Sequence, residues 1–197
     1  MKTIVVTGPI GAGKSKVCSI FKKKGLRVIN ADKVAHKVLE KQSIKKKLIN
    51  SFGESIICKN GKINRVLLSD IVFKSQKKLK QLNTIVHPQL INELEIIKKR
   101  TKEKIIFFEI ALFELIKNRY DIVLTILSKT ENRVKRIKKR DRFLKEKIQK
   151  IIDSQTKNEV YKNNSDIVIF NDYSIKDLNL TIDIFLDNLS IIQSYKR

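Results

Sequence analysis

A chain of 197 residues is long enough to bury a core of its own, and 42% hydrophobic against 32% charged content excludes a disordered polymer. No apolar run reaches the roughly 18 to 20 residues of a membrane-spanning helix, so no membrane partner is expected. A net charge of +23 raises polynucleotide binding, yet 34 of the 43 basic residues are lysines, strewn over nearly every helix-like stretch, whereas base reading favours arginine. The other account is compositional drift towards Lys, Ile and Asn. In either case the charge helps attract anionic nucleotides. Cys18 and Cys58 have no partner spacing, so neither a disulfide framework nor a metal site follows, and a reducing cytoplasm is the expected setting.

The chain begins with Met1-Lys2 and passes straight into the apolar, β-branched run Thr3–Val6. A cleavable signal would have to consume that strand, so no targeting segment is expected. Next comes the pattern G-x-x-x-x-G-K-[ST], carried by Gly8, Gly13, Lys14 and Ser15, with Gly11 and Ala12 completing the turn. Glycines let successive N–H groups point inward at phosphate oxygens, and the helix that follows adds the partial positive charge of its N-terminus. Lys14 is placed to reach the β- and γ-phosphates, and the Ser15 hydroxyl to ligate Mg²⁺. The pattern follows a strand and opens an amphipathic helix with Val17, Ile20 and Phe21 on one face. That context distinguishes a phosphate cradle from an incidental glycine turn.

Arg27–Asn30 reads as the second strand, followed by Asp32 and a helix over Lys33–Lys41. Ligands of open parallel sheets gather beyond the carboxyl ends of the strands, which makes Asp32 a candidate to accept a hydroxyl proton. Its alternative role is the N-cap of that helix. Four helices are expected next: Ser43–Ser51, Asn64–Phe73, Ser75–Ile85 and Pro88–Arg100, the last with Pro88 at its first position. They cannot all be crossovers, so a helical subdomain of about residues 43–102 is expected. Lys104–Glu109, Asp121–Leu127 and Asp166–Phe170 complete a parallel sheet covered by helices. Between the last two, residues 133–150 carry ten Lys or Arg against Asp141 and Glu146. Arg133, Arg136 and Arg140 recur there at helical spacing. They either close over a triphosphate or form a solvated basic face.

In order along the chain, these residues resemble the dephospho-coenzyme A kinase family from Thr3 to about Asn171. The family's loop, close to TGGIGSGKS, is met by TGPIGAGKS, and its Asp-Ala-Asp by Asn30-Ala31-Asp32. Phe52-Gly53, then Gly61, Arg65 and Val72-Phe73, then His87-Pro88 follow as in the family. Leu112-Phe113-Glu114 resembles its Leu-Leu-Phe-Glu. The lid pattern falls on Arg136 and Arg140-Asp141, and Gln155, Asp166–Ile169 and Asn171 close the series. The chain departs from the family at Pro9 for glycine, Lys16 for threonine, Asn30 for aspartate and Ala111 for proline.

The resemblance implies an α/β P-loop NTPase fold in three layers: a five-stranded parallel sheet, a helical acceptor-binding subdomain and a lid of about residues 133–145. It implies transfer of the γ-phosphoryl group of ATP to the ribose 3′-hydroxyl of dephospho-coenzyme A, with Mg²⁺ as cofactor. Lys14, Asp32 and Arg140 would be catalytic. Gly8, Gly11, Ala12, Gly13, Lys14, Ser15, Lys16 and Arg136 would bind ATP, and Asp32, Arg65 and His87 the acceptor. A lone histidine is more often a packing or capping residue, so neither His36 nor His87 is read as a base. No specific nucleic-acid partner is expected. A monomer is expected, with a homo-oligomer as the alternative. The rival functions are another P-loop nucleoside or nucleotide kinase, and a basic nucleic-acid-binding protein with a vestigial nucleotide site.

Overall fold

The apolar run that opens the chain becomes strand β1, Lys2–Thr7, buried at every residue after Lys2. A strand so buried needs neighbours on both edges and cover on both faces. It pairs in parallel with β3 (Ile105–Glu109) and with β4 (Ile122–Leu127), and β4 pairs in parallel with β5 (Ile167–Phe170). With β2 (Arg27–Asn30), the five-stranded order is β2-β3-β1-β4-β5. The expected strands differ from these by no more than one residue at either end. The computed structural model describes residues 1–116, 119–141, 145–153 and 155–194. Among them, no helix is long and apolar enough to cross a membrane.

Two compact units divide the chain: residues 1–29 with 102–197, and residues 30–101. In the first, Ile4 and Val6 of β1 lie in one core with Val17, Ile20 and Phe21 of α1 (Lys14–Lys23) and Leu178, Ile182 and Phe185 of α9 (Ile175–Ser194). Phe21 stacks on Phe107 with ring centroids 4.2 Å apart. By strand alternation Val5 faces the other way, and it too is fully buried, so both faces of the sheet are covered. The basic stretch forms two helices, α6 (Thr130–Asp141) and α7 (Lys145–Asp153), followed by the short α8 (Asn158–Asn163). Of the expected lid, residues 142–144 lie outside the described residues.

The second unit contains α2 (Ala31–Leu39), α3 (Gln42–Phe52), α4 (Arg65–Phe73) and α5 (Gln76–Arg100). Its core includes Val38, Ile44, Leu48, Ile56, Leu68, Val72 and Val86. Because Val38 of α2 belongs to that core, the unit starts at Asn30, ahead of the expected residue 43. Two expected helices, Ser75–Ile85 and Pro88–Arg100, are in fact the single 25-residue α5, with Pro88 inside it. Proline removes one intrahelical hydrogen bond and crowds the carbonyl four residues back, a cost of about 3 kcal/mol. Packing outweighs it: Leu79, Leu82, Ile85 and Val86 before the proline join the helical core, and Leu90 and Leu94 after it are buried on the same helix. The alternative reading of Asp32, as the N-cap of α2, does not hold. The N-cap of α2 is Asn30, whose side chain accepts a hydrogen bond from the Lys33 N–H at 2.9 Å. Asp32 stands in the first turn, exposed.

Candidate active site

The loop between β1 and α1 is shaped by its glycines. Gly8 has φ 136°, and a Cβ there would lie 2.1 Å from the Ile126 carbonyl oxygen of β4. Gly13, at φ 106°, would drive a Cβ to 2.1 Å from Asn171 Nδ2. Only glycine satisfies both the left-handed backbone and the close approach. Gly13 is also the N-cap of α1, where no side chain caps the helix and no acidic residue stands in the first turn. The positive end of α1 is thereby kept for an external anion.

The side chains of the pattern gather at this loop. Lys14 Nζ donates to the carbonyls of Gly8 at 2.7 Å and Pro9 at 3.1 Å. The Ser15 hydroxyl donates to Glu109 Oε1 at 2.5 Å. Glu109 ends β3, is 9% exposed, and was not singled out by sequence reasoning. Its signal was present: it is the one acid in the apolar strand IIFFE, at the carboxyl end where ligands of a parallel sheet gather. A hydroxyl and a carboxylate side by side are hard oxygen donors of the kind Mg²⁺ takes, together with substrate phosphates. Cys18, buried behind them, plays no part. Burial pushes its thiol well up, the Glu109 charge adds to this, and it stays protonated.

The arginines of α6 divide. Arg133, 4% exposed, donates through Nε to the Ile10 carbonyl at 2.9 Å, and burial lowers its pKa from the ordinary value. Arg136 is half-buried and donates to the carbonyls of Gly11 at 3.3 Å, Ala12 at 3.2 Å and Asn171 at 2.6 Å. Both therefore grip the back of the loop. Arg140 is exposed and makes a two-pronged pair with Asp141, each contact 2.7 Å. Those bonds raise Arg140 and hold Asp141 below the usual carboxylate range. Lys16 is exposed on the first turn of α1. After β5, Asn171 Nδ2 donates to the Ala12 carbonyl at 2.8 Å. Burial pushes the Asp172 carboxyl up, but hydrogen bonds from Ser128, Asn132 and the Lys129 N–H outweigh it and hold the group low.

In the helical unit, Arg65 opens α4 and its guanidinium donates to His36 Nδ1 at 2.7 Å. Both line a cavity of about 550 Å³ together with Lys37, Lys62, Cys58 and the acidic Glu40. His87 is half-buried within α5, immediately before Pro88.

The dephospho-CoA kinase family model matches residues 2–177. A dephospho-CoA kinase of Fusobacterium nucleatum is 37% identical over 188 residues, covering 94% of this chain and 97% of its own. Among solved structures, dephospho-CoA kinase from Campylobacter jejuni aligns with a TM-score of 0.69 at 27% identity, over 97% of this chain and 98% of that one. The crystal structure of TT1252 from Thermus thermophilus aligns with a TM-score of 0.82 at 27% identity, over 95% and 97%. The chain belongs to the dephospho-CoA kinase family.

Proposed function

We propose that this chain carries out its family's reaction, transfer of the γ-phosphoryl group of ATP to the ribose 3′-hydroxyl of dephospho-coenzyme A, through the residues gathered at the β1–α1 loop. The observation that carries this reading is the loop itself, a glycine cradle ending on an uncapped helix N-terminus with Lys14 and Ser15 in place. The backbone N–H groups of Gly8, Gly11 and Gly13 and the first turn of α1, with Ser15 and Lys16, hold the phosphates, and Ala12 closes the turn between them onto the Pro9 carbonyl. Lys14 neutralises charge on the transferring group. Ser15 and Glu109 would hold Mg²⁺, which would supply positive charge to offset that of the phosphates. Arg136 serves ATP through the Gly11 and Ala12 carbonyls that it holds. Asp32 orients or deprotonates the acceptor hydroxyl. Arg65 and His87 receive the acceptor, and in the cavity beside Arg65 the cations Lys37, Lys62 and Arg65 outnumber the single carboxylate of Glu40, a balance that suits an anionic diphosphate. The chain works as a monomer in the cytoplasm. Family membership disfavours the polynucleotide-binding alternative.

Formation of coenzyme A from dephospho-coenzyme A and ATP tests the activity itself, and a pair of substitutions tests the lid. If Arg140 grips phosphoryl oxygens, its planar two-pronged guanidinium is required and a lysine point charge does not replace it. An arginine so placed is worth on the order of 10³-fold in phosphoryl transfer, so Arg140→Lys is expected to lower kcat at saturating ATP by at least ~10-fold. Lys139→Ala, on another face of α6, is expected to do little. Equal, small effects from both leave Arg140 a solvated charge on the exposed face of α6.

A further inference from the structure

Behind the phosphate loop lies a second layer of side chains that touches no reacting group in the mechanism above. Arg133 Nε holds the Ile10 carbonyl at 2.9 Å, Arg136 the carbonyls of Gly11 and Ala12, and Asn171 Nδ2 the Ala12 carbonyl a second time. Three successive carbonyls are thus held from the same side. Gln155 closes the layer. Its Oε1 accepts from the Ile10 N–H at 2.9 Å and from Arg133 NH2 at 3.3 Å. A trans peptide is planar, with its C=O and the following N–H on opposite sides. Holding the carbonyls of Ile10 and Ala12 outward therefore turns the N–H groups of Gly11 and Gly13 inward, away from α6. The Ala12 N–H closes a turn onto the Pro9 carbonyl at 3.3 Å.

Among the described residues, Arg133 has no carboxylate ion-pair partner. Its guanidinium, 4% exposed, donates to the Ile10 carbonyl and to the Gln155 amide oxygen directly behind the loop. Gln155 comes from the stretch between α7 and α8, far in sequence from the loop, and its oxygen ties the Ile10 N–H and Arg133 to one point. Loss of that oxygen strands a backbone donor and a guanidinium arm together.

We propose that Gln155 and Arg133 are positioning residues for the nucleotide: a clasp that presets the Ile10–Gly11 peptide so that its N–H meets phosphate without reorganisation. The inference rests on the reading that ATP binds at this loop. It predicts an effect confined to the nucleotide, because none of the clasp belongs to the helical unit that receives the acceptor.

The test is calorimetric titration of ADP and, separately, dephospho-coenzyme A into the full chain and two variants. Gln155→Met keeps the volume and removes the acceptor oxygen. Gln155→Glu keeps an acceptor for both donors and pairs with Arg133. ADP is expected to bind Gln155→Met ~10-fold more weakly, about the worth of one backbone donor no longer preset for phosphate, and Gln155→Glu within ~3-fold of the native chain. Dephospho-coenzyme A affinity should not change, and KM for ATP should rise far more than kcat falls. Native ADP affinity in Gln155→Met overturns the clasp. So does equal weakening of both ligands, or equal loss in the Met and Glu variants, since each marks a general packing role. Failure of the native chain to bind ADP overturns the nucleotide site itself, and the clasp with it.

Discussion

Lys14→Ala yields a folded chain with almost no turnover. Lys14 is the first residue of α1, and its ammonium lies against the Gly8 and Pro9 carbonyls of the loop, outside the buried core. Alanine is the best helix former, so the substitution costs the helix nothing. Catalysis is another matter. A preorganised donor aimed at charge that develops in the transition state is worth roughly 10²- to 10³-fold in kcat. Stopped assays with saturating ATP and acceptor should show a loss of that size, with a melting temperature close to that of the native chain. Activity within a few-fold of native removes the loop lysine from the mechanism.

Asp32→Asn is the second large effect, and the geometry of α2 makes it a clean experiment. Because Asn30 supplies the cap, Asp32 is not needed to satisfy the first-turn N–H groups. Its contribution to the helix is an exposed charge near the positive end, worth about 0.3 to 1 kcal/mol. Removal of a general base costs ~10²- to 10⁴-fold. A loose phosphoryl-transfer transition state, in which the hydroxyl keeps its proton until late, moves the expectation to the lower end of that range. Measured together, kcat should fall by at least ~10²-fold while stability changes by no more than about 1 kcal/mol. A stability loss with kcat unchanged would leave Asp32 a helix residue only.

Much of this was legible in the chain because local signals and tertiary demands agree. β1 carries the apolar run Ile4–Val6 and is buried at every position after Lys2, and Gly8 and Gly13 adopt conformations and contacts that no other residue fits. Legibility failed where packing outvoted local preference. Pro88 marks a helix start by every local rule, yet the apolar residues on both sides of it pack along one continuous α5. Asp32 and Asn30 are both good caps, and spacing alone does not choose between them.

The helix that carries the arginines of α6 was legible, but their division was not: Arg133 and Arg136 turn onto the loop, and Arg140 stays exposed beside Asp141. Helical spacing places Arg133 and Arg136 together, but only the structure shows them turned onto the carbonyls of residues 10–12. Glu109 went unread because it is one acid closing a hydrophobic strand, and its partner Ser15 lies far away in the chain. Gln155 and Asn171 are polar residues without a local pattern, visible only through their resemblance to the family. What they do follows from contacts spanning more than a hundred positions.

The most direct test of the central claim is the product. Purified chain, ATP, Mg²⁺ and dephospho-coenzyme A are incubated together, and the acceptor is followed by mass spectrometry, with nucleosides and nucleoside monophosphates as parallel acceptors. Dephospho-coenzyme A is expected to gain one phosphoryl group at the ribose 3′-oxygen, matched by ADP release, while the other acceptors stay unmodified. ATP consumed with a nucleoside or nucleotide instead, and dephospho-coenzyme A recovered unchanged, would contradict it.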